Sequence, residues 1–480
     1  MRTVEVDPVS LDRLADVLDP VRADRLSRFG IRAEQELRGR TVWNVNATAR
    51  GGGVAEMLQT MLAYGRGAGV DTRWLVLDGD AEFFETTKRL HNFLHGSTGD
   101  GGELGPAEHV HFAEVSQANL ATMLELVGPG DVVILHDPQT AGLVEGLCAA
   151  GVRVVWRCHI GLDDQTPTGT IGWEFLRTYA ENADAFVFSR GRYAPAWVPQ
   201  QKLWVIPPSL DPFSAKNVGL TLPDVSTTLR VAGLVDTPPD GGSLQFVRRT
   251  GEPGTVRARE SLILDGPPVP RLARLVLQVS RWDVLKDMAG VMSGFVDRLE
   301  EMPPDAHLLL AGPDVREVRD DPEGARVLQG CRMQRRSLPE EARRRVHLTA
   351  LPMDDGDENA HLVNALQTYA SVVVQKSLAE GFGLTVAEAM WKARPVVASA
   401  VGGIVDQVED GVSGILLRDP ADLTGAAHAV AAVMHDEELG RRLGAEARAR
   451  VLDRYLGDRH LIQYVELLEA LIGLAPSARP

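Results

Sequence analysis

The sequence predicts an α/β protein made of two Rossmann-like domains, each a doubly wound parallel sheet, facing an inter-domain cleft. Three observations carry that prediction. From residue 41 onward, short apolar segments alternate with amphipathic segments of helical length. The alternation breaks in a Pro- and Gly-rich stretch near 211–270 and then starts afresh. A chain of 480 residues also exceeds what one ordinary hydrophobic core organises.

The elements follow in order. Residues 1–38 read as a helical extension, with Leu11, Leu14, Leu18 and Val21 at helical spacing. Strands are expected at 41–46, 72–77, 131–136, 152–158, 185–188 and 203–206, which gives a first Rossmann-like domain over 39–215, the acceptor-binding one under the assignment made below. Residues 216–270 form the linker with an irregular insert, because Pro and Gly at that density break regular structure. Strands at 272–280, 307–311, 346–348, 370–374 and 396–398 build a second domain over 271–455. The end of the chain is helical in pattern, and 456–480 is expected to cross back to the first domain.

Composition narrows the class. Hydrophobic residues at 44% and charged residues at 24% fit a soluble globular protein. A net charge of −16 argues against a general nucleic-acid or anionic-membrane binder. Three widely spaced cysteines, no apolar leader and no run of about 18 apolar residues point to the cytoplasm. No Cys/His spacing predicts a metal site. The extension 1–38 offers a surface for a homodimer.

Candidate chemistry collects where strands of such sheets would end. Glu380 and Glu388 stand eight residues apart, a little over two helical turns, with Gly381, Phe382 and Gly383 between them and the apolar run from Leu384 and Thr385 following. A glycine turn entering a helix exposes backbone N–H groups beside the helix's positive end, which suits a phosphate or a sugar hydroxyl. Glu388 sits in an apolar setting where an unpaired carboxylate would be costly. Arg281 and Lys286 follow the first strand of the second domain and supply a fork and a point charge for a diphosphate. In the first domain, Asn46 precedes a turn through Gly51, Gly52 and Gly53, and glycines let a bound group approach the backbone. Asp137 and Gln139 close another strand with hydroxyl-binding groups, and His159 ends a third. The dinucleotide fingerprint and the Walker motif are both absent, which disfavours a nicotinamide oxidoreductase and a P-loop enzyme.

Taken together, the Glu380-x7-Glu388 pattern and the Ser280-Arg-Trp-Asp-x-x-Lys286 loop resemble the retaining GT-B glycosyltransferases of family 4. The stretches 42–56, 83–95, 206–211 and 380–392 are similar to the trehalose glycosyltransferring synthases within that family. The resemblance implies a nucleoside-diphosphate glucose donor held mainly by the second domain, with glucose as acceptor and trehalose as product, in a reversible reaction. It implies that Arg281 and Lys286 stabilise the departing diphosphate, and that Glu380 and the amides of Gly381 to Thr385 hold the donor sugar. Glu388 would take the ribose, Gly52 and Gly53 the donor phosphate, and Asn46, Asp137 and Gln139 the acceptor. His159 would lie near the anomeric carbon. It further implies front-face attack with retention, no side-chain nucleophile, no required cofactor, Mg²⁺ at most a stimulant, and closure of the domains about the linker. A retaining trehalose phosphorylase is the nearest rival, followed by a family 4 enzyme with another sugar or sugar-phosphate acceptor. A non-catalytic sugar-nucleotide sensor is the rival from another class.

Overall fold

The computed structural model describes residues 1–49, 53–236, 244–248, 251–316 and 323–473. The chain divides into two compact units, one of Met1–Ser209 with the C-terminal segment from Tyr455, the other of Leu210–Arg454.

The first unit is built on a seven-stranded sheet of β1 (Arg2–Val4), β2 (Val42–Asn46), β3 (Thr72–Val76), β4 (Val132–His136), β5 (Arg153–Cys158), β6 (Ala185–Phe188) and β7 (Leu203–Val205), in the order β1-β3-β2-β4-β5-β6-β7. β2, β4 and β6 are buried at every residue, as parallel strands covered on both faces must be. All neighbours run parallel except β1, which pairs antiparallel with β3 from Arg2 opposite Val76 to Val4 opposite Trp74. The extension read as wholly helical therefore begins with an edge strand; three residues are too few to show a period. Helices Leu11–Ala15 and Pro20–Glu36 follow, each capped by a side chain, Ser10 and Asp19.

Helix Gly457–Leu471 packs on this same unit. Its Leu467 and Leu468 enter the core with Leu58 and Trp74, and Asp458 accepts both arms of Arg22 at 2.9 and 2.8 Å. Glu469 pairs with Arg32.

The second unit opens with residues read from sequence as linker, and these carry regular structure. Helix Leu222–Val231 packs against helix Gly356–Tyr369, where Thr228 Oγ1 lies 3.0 Å from His361 Nε2. Short ribbons follow: β8 (Val235–Asp236), β9 (Gln245–Val247), β10 (Pro253–Thr255), β11 (Ile263–Leu264) and β12 (Val269–Pro270). β9 and β10 pair with each other, and β12 pairs with β8. Long-range ion pairs that no local pattern announces hold the segment down. The buried Glu358 carboxylate accepts from the backbone and side chain of Arg257, at 2.8 and 2.6 Å, and from Arg259 at 2.8 Å.

The second sheet adds β13 (Arg274–Val279), β14 (Ala306–Pro313), β15 (Val346–Leu351), β16 (Val372–Gln375), β17 (Val396–Ser399) and β18 (Ile415–Leu417), in the order β11-β15-β14-β13-β16-β17-β18. β11 is its antiparallel edge and the rest are parallel. In each unit the order reverses beside a central strand, which is where α/β sheets place ligands, beyond the carboxyl ends of the strands. Among the described residues no helix is long and apolar enough to cross a membrane, and no group of three His, Cys, Asp or Glu side chains could hold a metal ion.

Candidate active site

In the second unit the carboxyl ends of β13 and β16 bring two loops together. The β13 loop runs from Ser280 to Asp287 and the β16 loop from Lys376 to Gly383. They are stitched by the Leu378 N–H donating to the Leu285 carbonyl at 2.7 Å. Beneath them Gln278 Nε2 donates to the Lys286 carbonyl, also at 2.7 Å. These bonds aim Lys286 so that its Nζ lies 2.7 Å from Glu380 Oε2, to which Ser377 Oγ also donates at 3.3 Å. Arg281 stands on the same loop with its side chain 37% exposed, 3.8 Å from the buried Asp283. The site thus contains two cations on one loop, Lys286 held at close range by a carboxylate and Arg281 partly exposed beside Asp283.

Gly383 carries φ +86° and ends the turn at helix Leu384–Trp391. Only glycine takes that backbone angle at little cost. The loop after β17 lies directly on this turn: the Gly403 N–H donates to the Gly381 carbonyl at 3.1 Å, and a Cβ on Gly403 would stand 2.7 Å from the Phe382 Cα. Sequence reading passed over Gly402 and Gly403, although paired glycines after a buried strand were the available signal. Leu384 opens the helix, and Thr385 turns inward, its Oγ1 donating to Gln375 Oε1 at 3.1 Å. Glu388 lies on the buried side of the helix at 4% exposure. Its Oε1 is 3.4 Å from Lys216 Nζ, while its Oε2 is buried with no hydrogen-bond partner. Lys216 comes from the segment taken as linker, and nothing in the local sequence marks it. Lys392 packs nearby, donating to Gln367 Oε1 at 2.9 Å, and burial pulls its ammonium down to about 7.

In the first unit the candidates gather at the ends of β4 and β5. Asp137 has φ 66° and ψ 177°, a region that residues with a Cβ rarely enter. Its N–H donates to the Arg157 carbonyl at 2.7 Å, and its Oδ1 accepts from the His159 N–H at 2.7 Å, so the two strand ends hold the strained residue between them. Burial pushes the Asp137 carboxyl up to about 7, against the opposing effects of the His159 N–H and the Arg157 charge. Gln139 sits in the following turn, Pro138–Leu143, partly exposed.

Arg157 is fully buried, and its hydrogen bonds run to neutral groups: His159 Nε2 at 2.9 Å, the Tyr464 hydroxyl at 2.6 Å and the Ile206 carbonyl at 3.0 Å. His136 links this group to β2, its Nδ1 3.3 Å from His159 Nε2 and its Nε2 3.0 Å from the Asn44 amide oxygen. His460, on helix Gly457–Leu471, lies with its Nδ1 2.8 Å from Ser209 Oγ. Burial, reinforced by the Arg157 charge, drives His136, His159 and His460 far below the ordinary imidazole range, so all three are neutral at physiological pH. Sequence reading assigned no role to His136, Arg157 or Tyr464. A charged residue inside the apolar run of β5 was a signal for Arg157; Tyr464 lies 307 positions away and gave none.

Two candidates have other surroundings. Asn46 is buried with its amide spent inside the fold, accepting from Trp74 Nε1 at 2.8 Å and donating to the Thr48 carbonyl at 2.7 Å. Of the glycine turn, Gly52 lies outside the described residues, and Gly53 begins helix Gly53–Gly67.

With this geometry in hand, comparison with known proteins is informative. The family "Trehalose synthase, N-terminal domain" matches residues 44–195, and "Glycosyl transferases group 1" matches residues 273–450. A trehalose synthase of Pyrococcus horikoshii is 32% identical over 96% of this chain and 97% of its own length. One from Rubrobacter xylanophilus is 34% identical over 91% and 92%. Among solved structures, an α,α-trehalose-phosphate synthase (UDP-forming) from Burkholderia vietnamiensis superposes with a TM-score of 0.65 at 14% identity, covering 92% of this chain and 98% of that one, a likeness of fold. The chain belongs to the trehalose synthase family and is a hexosyltransferase of the GT-B fold.

Proposed function

We propose that the protein is a retaining glucosyltransferase that makes trehalose from a nucleoside-diphosphate glucose and glucose, reversibly. The observation that carries this reading is the pairing of Lys286 with Glu380 at 2.7 Å on the loop that also carries the partly exposed guanidinium of Arg281. Two fixed cations at one strand edge suit the charge that develops on a departing diphosphate, and preorganised charge of this kind is commonly the largest contribution to catalysis. They also do the work that Mg²⁺ does in other transferases, so no cofactor is invoked. Glu380 and the backbone from Gly381 to Thr385 hold the donor sugar, and Gly53 is the first unit's candidate for its phosphate. Glu388, buried on Lys216, is the ribose partner. In the first unit Asp137 and Gln139 hold acceptor hydroxyls, with Asn46 the third acceptor residue, and neutral His159 serves near the reacting carbon. No carboxylate serves as nucleophile. The departing phosphate oxygen takes the proton of the acceptor hydroxyl as the new bond forms on the same face.

The test incubates pure protein with glucose and a panel of nucleoside-diphosphate glucoses, with products followed by NMR. The expected product is an α,α-1,1-linked disaccharide with one nucleoside diphosphate released per bond. Disaccharide formed only from glucose 1-phosphate, with inorganic phosphate released, would replace the reading by a phosphorylase. Product formed only with glucose 6-phosphate would replace the acceptor.

A further inference from the structure

A wide groove in the second unit lies away from these loops. It has a volume of about 1000 Å³ and sits at the amino-terminal ends of β14 and β15, the opposite end of the sheet from Lys286 and Glu380. His307 and His347 form its floor, His307 Nδ1 lying 3.0 Å from His347 Nε2, with Pro267 and Pro268 among the residues lining it. Prolines at a margin fix the backbone there, so the groove is preformed.

Its charge is exceptional for this chain. Between Arg332 and Arg345 there are six arginines against two glutamates, in a protein of net charge −16. Asp265 is taken up by Arg332 and Arg336, at 2.7 and 2.8 Å, and Glu340 by Arg344. Arg335, Arg343 and Arg345 have no carboxylate within ion-pair distance among the described residues. Arg335 donates instead to the carbonyls of Val346, Asp265 and Arg343, at 2.7, 2.9 and 3.1 Å. Arg345 donates to those of Ala306 and Pro303, at 2.9 and 2.6 Å, with Glu341 acting on it only through space. These bonds lock the two guanidiniums in place on neutral carbonyls; the negative charges near them, Asp265 for Arg335 and Glu341 and Asp305 for Arg345, act through space without an ion pair. Burial depresses both, and it holds the imidazoles of His307 and His347 neutral, at about 4 and about 3.

We propose that this groove is a second ligand site, built for a small phosphate-bearing anion and separate from the transfer site. Locked guanidiniums match a phosphate's oxygens in geometry and charge, and neutral imidazoles add donors. Free inorganic phosphate and the phosphate of a small phosphorylated metabolite share this chemistry.

The test silences the transfer site with Arg281→Ala and Lys286→Ala together in the full chain, then titrates inorganic phosphate and a hexose 6-phosphate by calorimetry. One anion is expected to bind per chain, at least tenfold more weakly after Arg343→Glu. Arg343 is exposed and its side chain makes a single hydrogen bond among the described residues, at 3.5 Å to the Arg336 carbonyl, so its exchange leaves the fold intact; an unchanged transfer rate in the otherwise native chain checks this. Arg343→Gln is the milder companion should the charge reversal disturb folding. Tighter binding of the hexose phosphate assigns the site to a phosphorylated metabolite, and equal binding assigns it to free phosphate. Absence of saturable binding, or binding that neither Arg343 variant weakens, overturns the proposal.

Discussion

The two units meet charge in opposite ways. In the second, Lys286 and Glu380 form an ion pair whose side chains keep 16% and 12% of their exposure, with Arg281 more open still. In the first, the groups around the ends of β4 and β5 are buried or partly buried and carry little charge: three imidazoles stripped of charge, one of them His460 from the C-terminal helix, and a carboxyl raised to about 7, arranged around one buried guanidinium. The difference teaches what each cluster can recognise. Solvated cations held by short loops suit a ligand that brings its own negative charge. Neutral donors and acceptors on a rigid sheet edge suit the hydroxyls of an uncharged sugar, because each unpaired buried polar group costs about 1–3 kcal/mol and so rejects a ligand that fails to fill it.

The largest effect is expected from breaking the charged side. Lys286→Ala should lower kcat by about 10²–10³-fold, the scale found when one preorganised charge-stabilising donor is removed. Folding should hardly change, since the pair is partly solvated and worth about 1 kcal/mol or less. Steady-state kinetics with a thermal melt separate the two. Loss of the melt together with activity would make Lys286 a structural residue.

The neutral side is tested by Asp137→Asn, with an expected loss of about 10²-fold in kcat/KM for the acceptor and little change in the donor KM. The pH profile sharpens the comparison. If the ionised carboxylate is what accepts from the sugar hydroxyl, native kcat/KM should rise through about pH 7, and the variant should lose that limb. Stability runs the other way. The folded carboxyl is raised above its unfolded value of 3.8, so its stabilising contribution is complete below that value and is lost as pH rises through about 7. At about 1.4 kcal/mol per unit, the loss reaches at most about 4 kcal/mol. Asp137→Asn should therefore melt higher than the native chain at pH 8 and near it at pH 4. An unchanged difference between the two pH values would remove Asp137 from the buried, protonatable role.

Tyr464→Phe should cost about 1–2 kcal/mol, because it takes one acceptor from a fully buried guanidinium. Denaturant unfolding measures it. A silent variant would show that the C-terminal helix contributes packing alone to this cluster.

How much of this could be read from the chain depends on how local each signal is. Val132–His136 and Val372–Gln375 announce themselves because a doubly covered parallel strand is a near-continuous apolar run, here broken only by its last residue. The Glu380 turn is equally legible, since its glycines and its helix are contiguous. The edge strand Arg2–Val4 was invisible, being three residues long with its partner some seventy positions away. Residues 216–270 misled for a related reason. Proline and glycine reported irregular backbone correctly, but the bonds of Arg257 and Arg259 to Glu358, about a hundred positions on, make the segment part of the second unit. Asp137 was visible as a residue type and hidden in its quality: neither its φ of 66° nor its shifted carboxyl follows from an Asp-Pro pair.

The smallest expected effect concerns Glu388, whose setting combines both manners of handling charge. It is as buried as the first unit's groups, yet it keeps an ionic partner in Lys216 at 3.4 Å. The other nearby ammonium, Lys392, is drawn down to about 7 by burial and so carries its charge only part of the time at physiological pH. Lys216 is the ammonium in ion-pair contact with it, holding the carboxylate in one orientation while Oε2 stays unpartnered. Lys216→Met keeps the length and the apolar stem and removes only the charge. If Glu388 receives the ribose, the donor KM should rise about fivefold, roughly 1 kcal/mol, with kcat nearly unchanged, as befits a contact made equally in ground and transition states. The same variant should discriminate less between a nucleoside-diphosphate glucose and its 2′-deoxyribose analogue. An unchanged preference alongside a weakened donor would show that Lys216 steadies the fold around Glu388 without positioning it for the ribose.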